Sequence, residues 1–288
     1  SSQSKISIPA MSIPASCRSE FETSGRLIPT LDGEGPEHMA FDSLLLEHCY
    51  RKEKPGPVLR FYRWDGHWLS LGRHQTQLAS HWQELVESNH MKLVRRPSGG
   101  GAVLHGGGLT YALIWPHPPR RRREAYRRLN TWLYSGFQRL GLELNPGVAP
   151  ALAGSQNCFA SATSADLVDP FGQKRIGNAQ FWQRGHLLQH GEIPLAPHNQ
   201  LWQEVFGTAP PCWRPFQPSA ASVEAALIDA IKELWPGLSW NVNPITGREH
   251  QLVRDRADVY RVNDSEVSSN SPDARIEVTA WRSGRPKG

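Results

Sequence analysis

The chain has 288 residues, 39% of them hydrophobic and 20% charged, with a formal net charge of +5. This composition predicts ordinary globular burial, in one large domain or one domain with an appendage. No run approaches the roughly 18 apolar residues of a membrane span, and the first twenty residues lack a signal-peptide stretch, so we expect no membrane partner and a cytoplasmic location.

The four cysteines are far apart in the chain, and no two of them form a C-x-x-C pair. They are Cys17, Cys49, Cys158 and Cys212. This spacing predicts neither a disulfide framework nor a zinc site, and we expect no bound metal.

Strands and helices alternate along the chain without an internal repeat. We expect residues 1–25 to form an N-terminal extension that can be disordered. Apolar residues at helical spacing predict helices at 37–50, 81–87, 126–140, 199–206 and 222–234. Short apolar runs predict strands at 58–62, 68–71, 92–95, 102–104 and 109–114, the first two joined by a turn at Asp65 and Gly66. Residues 145–165 are predicted to form a long loop.

A glycine triplet lies between two of the predicted strands. Its neighbourhood contains Arg95, Arg96, Ser98, Gly99, Gly100, Gly101, Val103 and His105. Consecutive glycines let backbone N–H groups converge on an anionic or polar ligand, and the arginines can add charge-assisted contacts. A plain turn between strands would also explain the glycines. A Rossmann or P-loop site is not favoured, because both need the glycines to open a helix.

A second motif follows about seventy residues later. It comprises Lys174, Gly177, Asn178 and Ala179, followed by His190 and Gly191. The small residues permit close approach of a ligand to the backbone, and the lysine can meet a developing negative charge. The alternatives are a solvated lysine at a strand end and a structural histidine.

Together the two motifs resemble the family of lipoate-protein ligase A and the octanoyltransferases, relatives of the biotin protein ligases. The resemblance extends over roughly residues 26–205. It implies an α+β fold related to class II aminoacyl-tRNA synthetases, with a mixed, largely antiparallel sheet flanked by helices. It also implies a catalytic domain at 26–210. Beyond that domain, the sequence pattern itself predicts a helical extension at 211–262 and a polar, basic tail at 263–288.

The transferase branch of this family implies that Cys158 and Lys174 are catalytic. Cys158 would attack the thioester of octanoyl acyl carrier protein, and Lys174 with N–H groups near Gly177 would stabilise the oxyanion. A lysine of a lipoyl domain or of glycine cleavage H protein would then take the acyl group, with no cofactor. The glycine loop and Val103 would line the acyl channel, with His105 contacting the acyl group or assisting proton transfer.

Two residues depart from the transferase pattern. Gly101 stands where that branch commonly has arginine, and Asn178 stands where the family usually has serine. The alternative is therefore an ATP- and Mg-dependent lipoate-protein ligase, with Arg95, Ser98 and the glycine loop around the adenylate. A non-catalytic module that binds an acylated carrier is the alternative from another class.

Six arginines cluster before and within the predicted helix at 126–140. They are Arg120, Arg121, Arg122, Arg123, Arg127 and Arg128. They form either a solvated face or a docking patch for an acidic carrier protein. No recognition motif or pattern of stacking aromatics accompanies them, so we expect no nucleic-acid partner.

Overall fold

The computed structural model describes residues 24–76, 78–147, 166–213 and 217–263. The strands in these ranges are β1 (Ser24–Gly33), β2 (Val58–Trp64), β3 (Trp68–Leu71), β4 (Lys92–Arg95), β5 (Val103–His105), β6 (Gly108–Trp115), β7 (Asn145–Pro146), β8 (Asp166–Val168), β9 (Lys174–Gln183), β10 (His186–Pro194) and β11 (Ser239–Val242). The helices are α1 (Gly35–Arg51), α2 (Ser80–Glu87), α3 (Arg122–Arg139), α4 (Asn199–Phe206), α5 (Ala220–Leu234) and α6 (Gly247–Arg256), and a 3₁₀ turn follows at Ala257–Tyr260.

The larger sheet has the strand order β11-β1-β2-β6-β10-β9-β8-β7. The pairs β11–β1 and β1–β2 are parallel, and the other pairs are antiparallel. The predicted α+β class with a mixed, largely antiparallel sheet is therefore confirmed.

Helices cover both faces of this sheet. Along β6, Leu109, Tyr111 and Leu113 join the core under α3 and α5, whereas Ala112 and Ile114 join the core under α1. This division follows from the pleat, because successive side chains of a strand point to opposite faces. Since both faces are buried, β6 reads as a continuous apolar run rather than an alternating one.

The smaller sheet positions the glycine loop. Its order is β4-β3-β5, with β3 parallel to β4 and antiparallel to β5. The loop at 96–102 connects the two outer strands, as predicted. Helices α2 and α4 supply apolar side chains to the core beneath this sheet.

The two strands on either side of the predicted turn do not pair with each other. Both segments are strands, but β2 pairs with β1 and β6 in the larger sheet, while β3 pairs with β4 and β5 in the smaller one. Gly66 has φ of +80° and makes the predicted turn. The turn directs the chain out of the larger sheet, where β1 and β6 occupy both sides of β2.

The segment from Gln217 onwards packs against the same sheet. Helix α5 packs on α3, and β11 adds a strand beside β1. Helix α6 begins with a capping box between Thr246 and Glu249 and lies against α1. No described helix combines the length and apolar character needed to cross a bilayer.

Candidate active site

The Arg96 side chain organises the glycine loop from inside. It is only 5% exposed, and its Nη2 donates to the carbonyl oxygens of Gly99 and Gly101, both at 2.9 Å. Its Nη1 donates to Ser70 and its Nε donates to the Ser98 hydroxyl. Burial lowers the pKa of Arg96 to about 10, so the guanidinium is still charged at neutral pH. The structure thus uses Arg96 to hold the bend, and its predicted contact with a ligand stays a prediction.

The bend packs closely on Gly72. Gly100 has φ of +97°, and a Cβ at Gly72 would lie 1.9 Å from the carbonyl oxygen of Gly100. The Arg95 side chain reinforces this contact from outside, donating to the carbonyls of Gly72 and Gln75 at 3.1 and 2.6 Å. The backbone of the loop is therefore fixed before any ligand binds.

A buried relay connects the glycine loop to the second motif. The Ser98 hydroxyl lies 2.5 Å from His190 Nε2, and His190 Nδ1 lies 3.0 Å from Asp42 Oδ2. In the tautomer that donates from Nδ1 to this carboxylate, Nε2 accepts from the Ser98 hydroxyl. The order Ser-His-Asp resembles a hydrolase triad, but Ser98 is 0% exposed and also accepts from Arg96. This serine is placed to hold the loop and not to attack a substrate.

Asp42 ends this relay in a fully buried environment. Its other contacts are an ion pair with Arg60 Nε at 3.0 Å and a hydrogen bond from the Tyr62 hydroxyl at 2.6 Å. Burial acts to raise the pKa of Asp42, but Arg60 and the hydrogen bond with His190 outweigh it, and the net pKa is lowered. Asp42 is therefore the ionised anchor of the loop.

A second relay of the same design also starts at Arg96. Nη1 donates to the Ser70 hydroxyl, which lies 2.7 Å from His105 Nε2, and His105 Nδ1 lies 2.9 Å from Glu192. Burial is the main cause that lowers the pKa of His105, so the ring is neutral. The predicted residue His105 is thus engaged with Glu192, and its proposed contact with an acyl group stays a prediction.

Lys174 is mostly covered and lies beside a carboxylate. Its side chain is 11% exposed, and Nζ lies 2.9 Å from Asp166 Oδ1. Burial is the main cause that raises the pKa of Tyr126 on α3, and the charge of Asp166 raises it further while that of Arg96 lowers it.

Asn178 presents an unused donor. Its Oδ1 accepts from the Tyr111 hydroxyl, while its Nδ2 is buried and has no acceptor within reach among the described residues. Leaving such an N–H without a partner costs about 1–3 kcal/mol, which a bound acceptor oxygen would recover. Gly191 makes room for this side chain, since a Cβ there would lie 2.3 Å from Asn178 Oδ1.

The sheet separates the predicted residues into two sets. Asn178 and Gly191 are register partners on the side of Tyr111 and α3, whereas Ala179 and His190 are register partners on the side of α1. Gly177 pairs with Glu192. Val103 packs against the core of the smaller sheet. Cys158 lies outside the described residues.

Sequence reasoning missed Asp42, Arg60, Tyr62 and Glu192. A signal was present, because Asp42 interrupts the apolar face of α1, and Arg60 and Tyr62 sit two residues apart on a buried strand. Charged side chains at core positions are rarely left without partners. Among the described residues, no group of three or more metal-ligating side chains could hold an ion.

Comparison with known proteins identifies relatives of this arrangement. Residues 34–234 match the model of the lipoyl protein ligase A/B catalytic domain. Octanoyltransferase LipM of Oceanobacillus iheyensis is 36% identical over 174 residues, which is 59% of this chain and 63% of that protein. Octanoyltransferase LipM of an Exiguobacterium species is 34% identical over 197 residues, covering 64% of this chain and 70% of its own. The chain thus spans less than two thirds of the Oceanobacillus relative.

Solved structures show the same fold. Protein Ta0514 of T. acidophilum with bound lipoic acid superposes with a TM-score of 0.68 at 23% identity, covering 82% of this chain and 95% of its own. Lipoate-protein ligase A bound with ATP superposes with a TM-score of 0.66 at 22% identity, covering 82% and 94%. The matched family model, which covers most of the chain, shows that this protein belongs to the lipoyl protein ligase A/B catalytic domain family.

Proposed function

We propose that this protein is an enzyme that moves an octanoyl group from acyl carrier protein to a lysine of a lipoyl domain or of glycine cleavage H protein. The Cys158 thiolate attacks the thioester carbonyl, the C–S bond to the carrier breaks, and the carrier thiolate leaves and takes a proton. The acceptor lysine, as a neutral amine, then attacks the acyl-enzyme. An amide forms, the amine proton is released, and the Cys158 thiolate leaves. The relatives named octanoyltransferase support this reaction.

The observation that carries the proposal is the buried Nδ2–H of Asn178, for which the described residues offer no acceptor. It lies on β9, the strand that begins with Lys174, and on the face covered by α3. An acyl carbonyl is an acceptor that such a donor can bind, and Lys174 supplies positive charge for the oxyanion nearby. Asp166 forms an ion pair with the Lys174 ammonium, and the lysine side chain is mostly shielded from water.

The adenylate of the ligase alternative fits this site less well. That alternative assigns Arg95 and Ser98 to the nucleotide, but Arg95 donates to two backbone carbonyls and Ser98 is bonded to Arg96 and His190. To donate to ATP, the Ser98 hydroxyl would have to leave His190. A thioester donor needs no such change, and the transferase reaction needs neither ATP nor magnesium.

The arginine patch fits the carrier. Arg121 and Arg123 are exposed, and the first turn of α3 contains Arg122, where the helix dipole favours acidic side chains instead. The charge of Arg122 lowers the pKa of Tyr126, one turn further along α3, and the charge of Asp166, the partner of Lys174, raises it. An acidic carrier protein attracted to this patch would thus deliver its acyl group beside Lys174.

The test uses the full chain with octanoyl acyl carrier protein and no ATP. Intact mass measurement should detect an octanoyl adduct that hydroxylamine removes, because thioesters are hydroxylamine-labile. Cys158→Ser should abolish the labile adduct, and Cys212→Ser, which alters an exposed cysteine, should retain it. Labelling of a lipoyl domain only when ATP is present would refute the proposal and favour the ligase.

A further inference from the structure

A chain of side-chain hydrogen bonds crosses the sheet and ends at Asn178. Trp182 Nε1 donates to Gln180 Oε1 at 3.0 Å, and Gln180 Nε2 donates to Gln189 Oε1 at 2.8 Å. Gln189 Nε2 donates to the Tyr111 hydroxyl at 2.7 Å, and that hydroxyl donates to Asn178 Oδ1. Each member donates to the next, so the chain runs in one direction from a partly exposed tryptophan to a buried amide.

The tryptophan sets this direction. An indole N–H can donate but cannot accept, so Gln180 must present its oxygen to Trp182 and its nitrogen to Gln189. By the same argument, the Gln189 nitrogen donates to the Tyr111 hydroxyl, and that hydroxyl donates to the Asn178 oxygen. If Asn178 turned over, two donors would face the Tyr111 oxygen and the hydroxyl hydrogen would have no acceptor. Burial of Tyr111 raises its pKa, which keeps the phenol protonated and able to donate.

We propose that Trp182, Gln180, Gln189 and Tyr111 act as positioning residues that hold Asn178 with its N–H towards the substrate, so that the site selects a ligand presenting an acceptor oxygen. This inference rests on the proposed function, in which that oxygen is the octanoyl carbonyl. The hydrogen-bond chain thereby fixes the Asn178 N–H as a donor, whereas a serine at position 178 would supply its donor by rotating the hydroxyl.

One remote substitution reverses the chain without touching Asn178. In Gln180→Glu the carboxylate accepts from Trp182 and also from Gln189, which must turn its nitrogen towards residue 180. The oxygen of Gln189 then accepts from Tyr111, and the Tyr111 oxygen accepts from Asn178. The amide of Asn178 now presents an oxygen to the acyl carbonyl, which repels it.

The kinetic test measures octanoyl transfer by the full chain. Gln180→Glu should lower kcat/KM by about a hundredfold, as expected for loss of a donor to an oxyanion. Gln183→Glu adds the same charge to β9 outside the hydrogen-bond chain and should leave kcat/KM unchanged. In an Asn178→Ser background, Gln180→Glu should cost much less, because a hydroxyl can rotate its hydrogen towards the acyl oxygen. Full activity in Gln180→Glu, or an equal loss in both backgrounds, would overturn the proposal.

A binding test separates this inference from the proposed function. The side-chain amide signal of Asn178, identified by its loss in Asn178→Ser, should shift in NMR spectra when octanoate is added to the wild-type protein and to Gln183→Glu. The signal should not shift in Gln180→Glu, and a shift in that variant would overturn the proposed positioning of Asn178 by the hydrogen-bond chain. If the wild-type protein shows this pattern but transfers no octanoyl group, the proposed function fails and the positioning chain stands.

Discussion

Replacement of Asp42 by asparagine tests whether the buried relay holds the fold at the site. The wild-type carboxylate is 0% exposed, and it contacts Arg60, Tyr62 and His190 at 3.0, 2.6 and 3.0 Å. Asparagine keeps the shape but leaves the charge of Arg60, itself 1% exposed, without its partner. Breaking a buried ion pair in this way typically destabilises a protein by about 3–5 kcal/mol. Since the amide retains part of the hydrogen bonding, we expect about 3 kcal/mol.

The assay is urea unfolding of the full chain, because urea adds no ionic strength that would screen the pair. The matched control is Asp32→Asn, whose partner is Arg63 in an ion pair of 2.8 Å with both side chains more than half exposed. Such a surface pair contributes below about 1 kcal/mol. Equal losses of unfolding free energy in the two variants would refute the reasoning. The advantage of wild type over Asp42→Asn should also shrink in acid, because the lowered pKa of Asp42 stabilises the fold only while the carboxylate is ionised.

Three further predictions concern the patch, a histidine and a glycine. Arg123→Glu should raise the KM for acyl carrier protein in a salt-dependent manner, because it reverses one charge of the docking patch. Burial and Arg60 lower the pKa of His38 to about 3, so the unfolded chain binds a proton that the folded protein excludes, and unfolding free energy should fall as pH drops from about 6.5 towards 3. Gly191→Ala should reduce transfer, because the added Cβ would displace the amide of Asn178.

Each of these has a control on the same chain. Arg248→Glu, which alters an exposed arginine of α6, should leave the KM unchanged, and an equal rise in KM would contradict the patch. His38→Gln should flatten the dependence of unfolding free energy on pH, and an unaltered slope would contradict the assignment. Gly237→Ala has open space around its Cβ and should transfer normally, so a comparable loss in both glycine variants would remove the steric argument.

Hydrophobic periodicity predicted the elements well because the spacing of apolar residues in an element reflects which of its faces is buried. The helix at 199–206 has the predicted bounds, and the glycine triplet does join two strands. Helix α3 begins four residues before the prediction, at Arg122, since a run of arginines carries no apolar period to reveal it. The turn at Asp65 and Gly66 was predicted, but it does not make a hairpin, because the two strands it joins pair with different strands elsewhere.

The site was harder to predict because its contacts join distant parts of the chain. Ser98 and His190 are 92 residues apart, and His190 and Asp42 are 148 apart. The two motifs contain Ser98, His105, His190 and Asn178, but only the fold shows that the first three hold the loop through Arg96 or its relays. Their predicted contacts with a substrate stay predictions. Whether Arg96 would point outwards or inwards depends on the carbonyls of its own bend, and local sequence does not determine that.

The pairing of β11 with β1 has a consequence for any shortened version of this chain. Strand β11 has four residues, lies at the end of the larger sheet, and covers the backbone of residues 24–27. A protein cut before Ser239 would leave those amides and carbonyls of β1 open. Bare strands of this kind recruit other chains and promote aggregation. Fragments that stop after α5 should therefore self-associate, even though every residue of the two motifs would be retained.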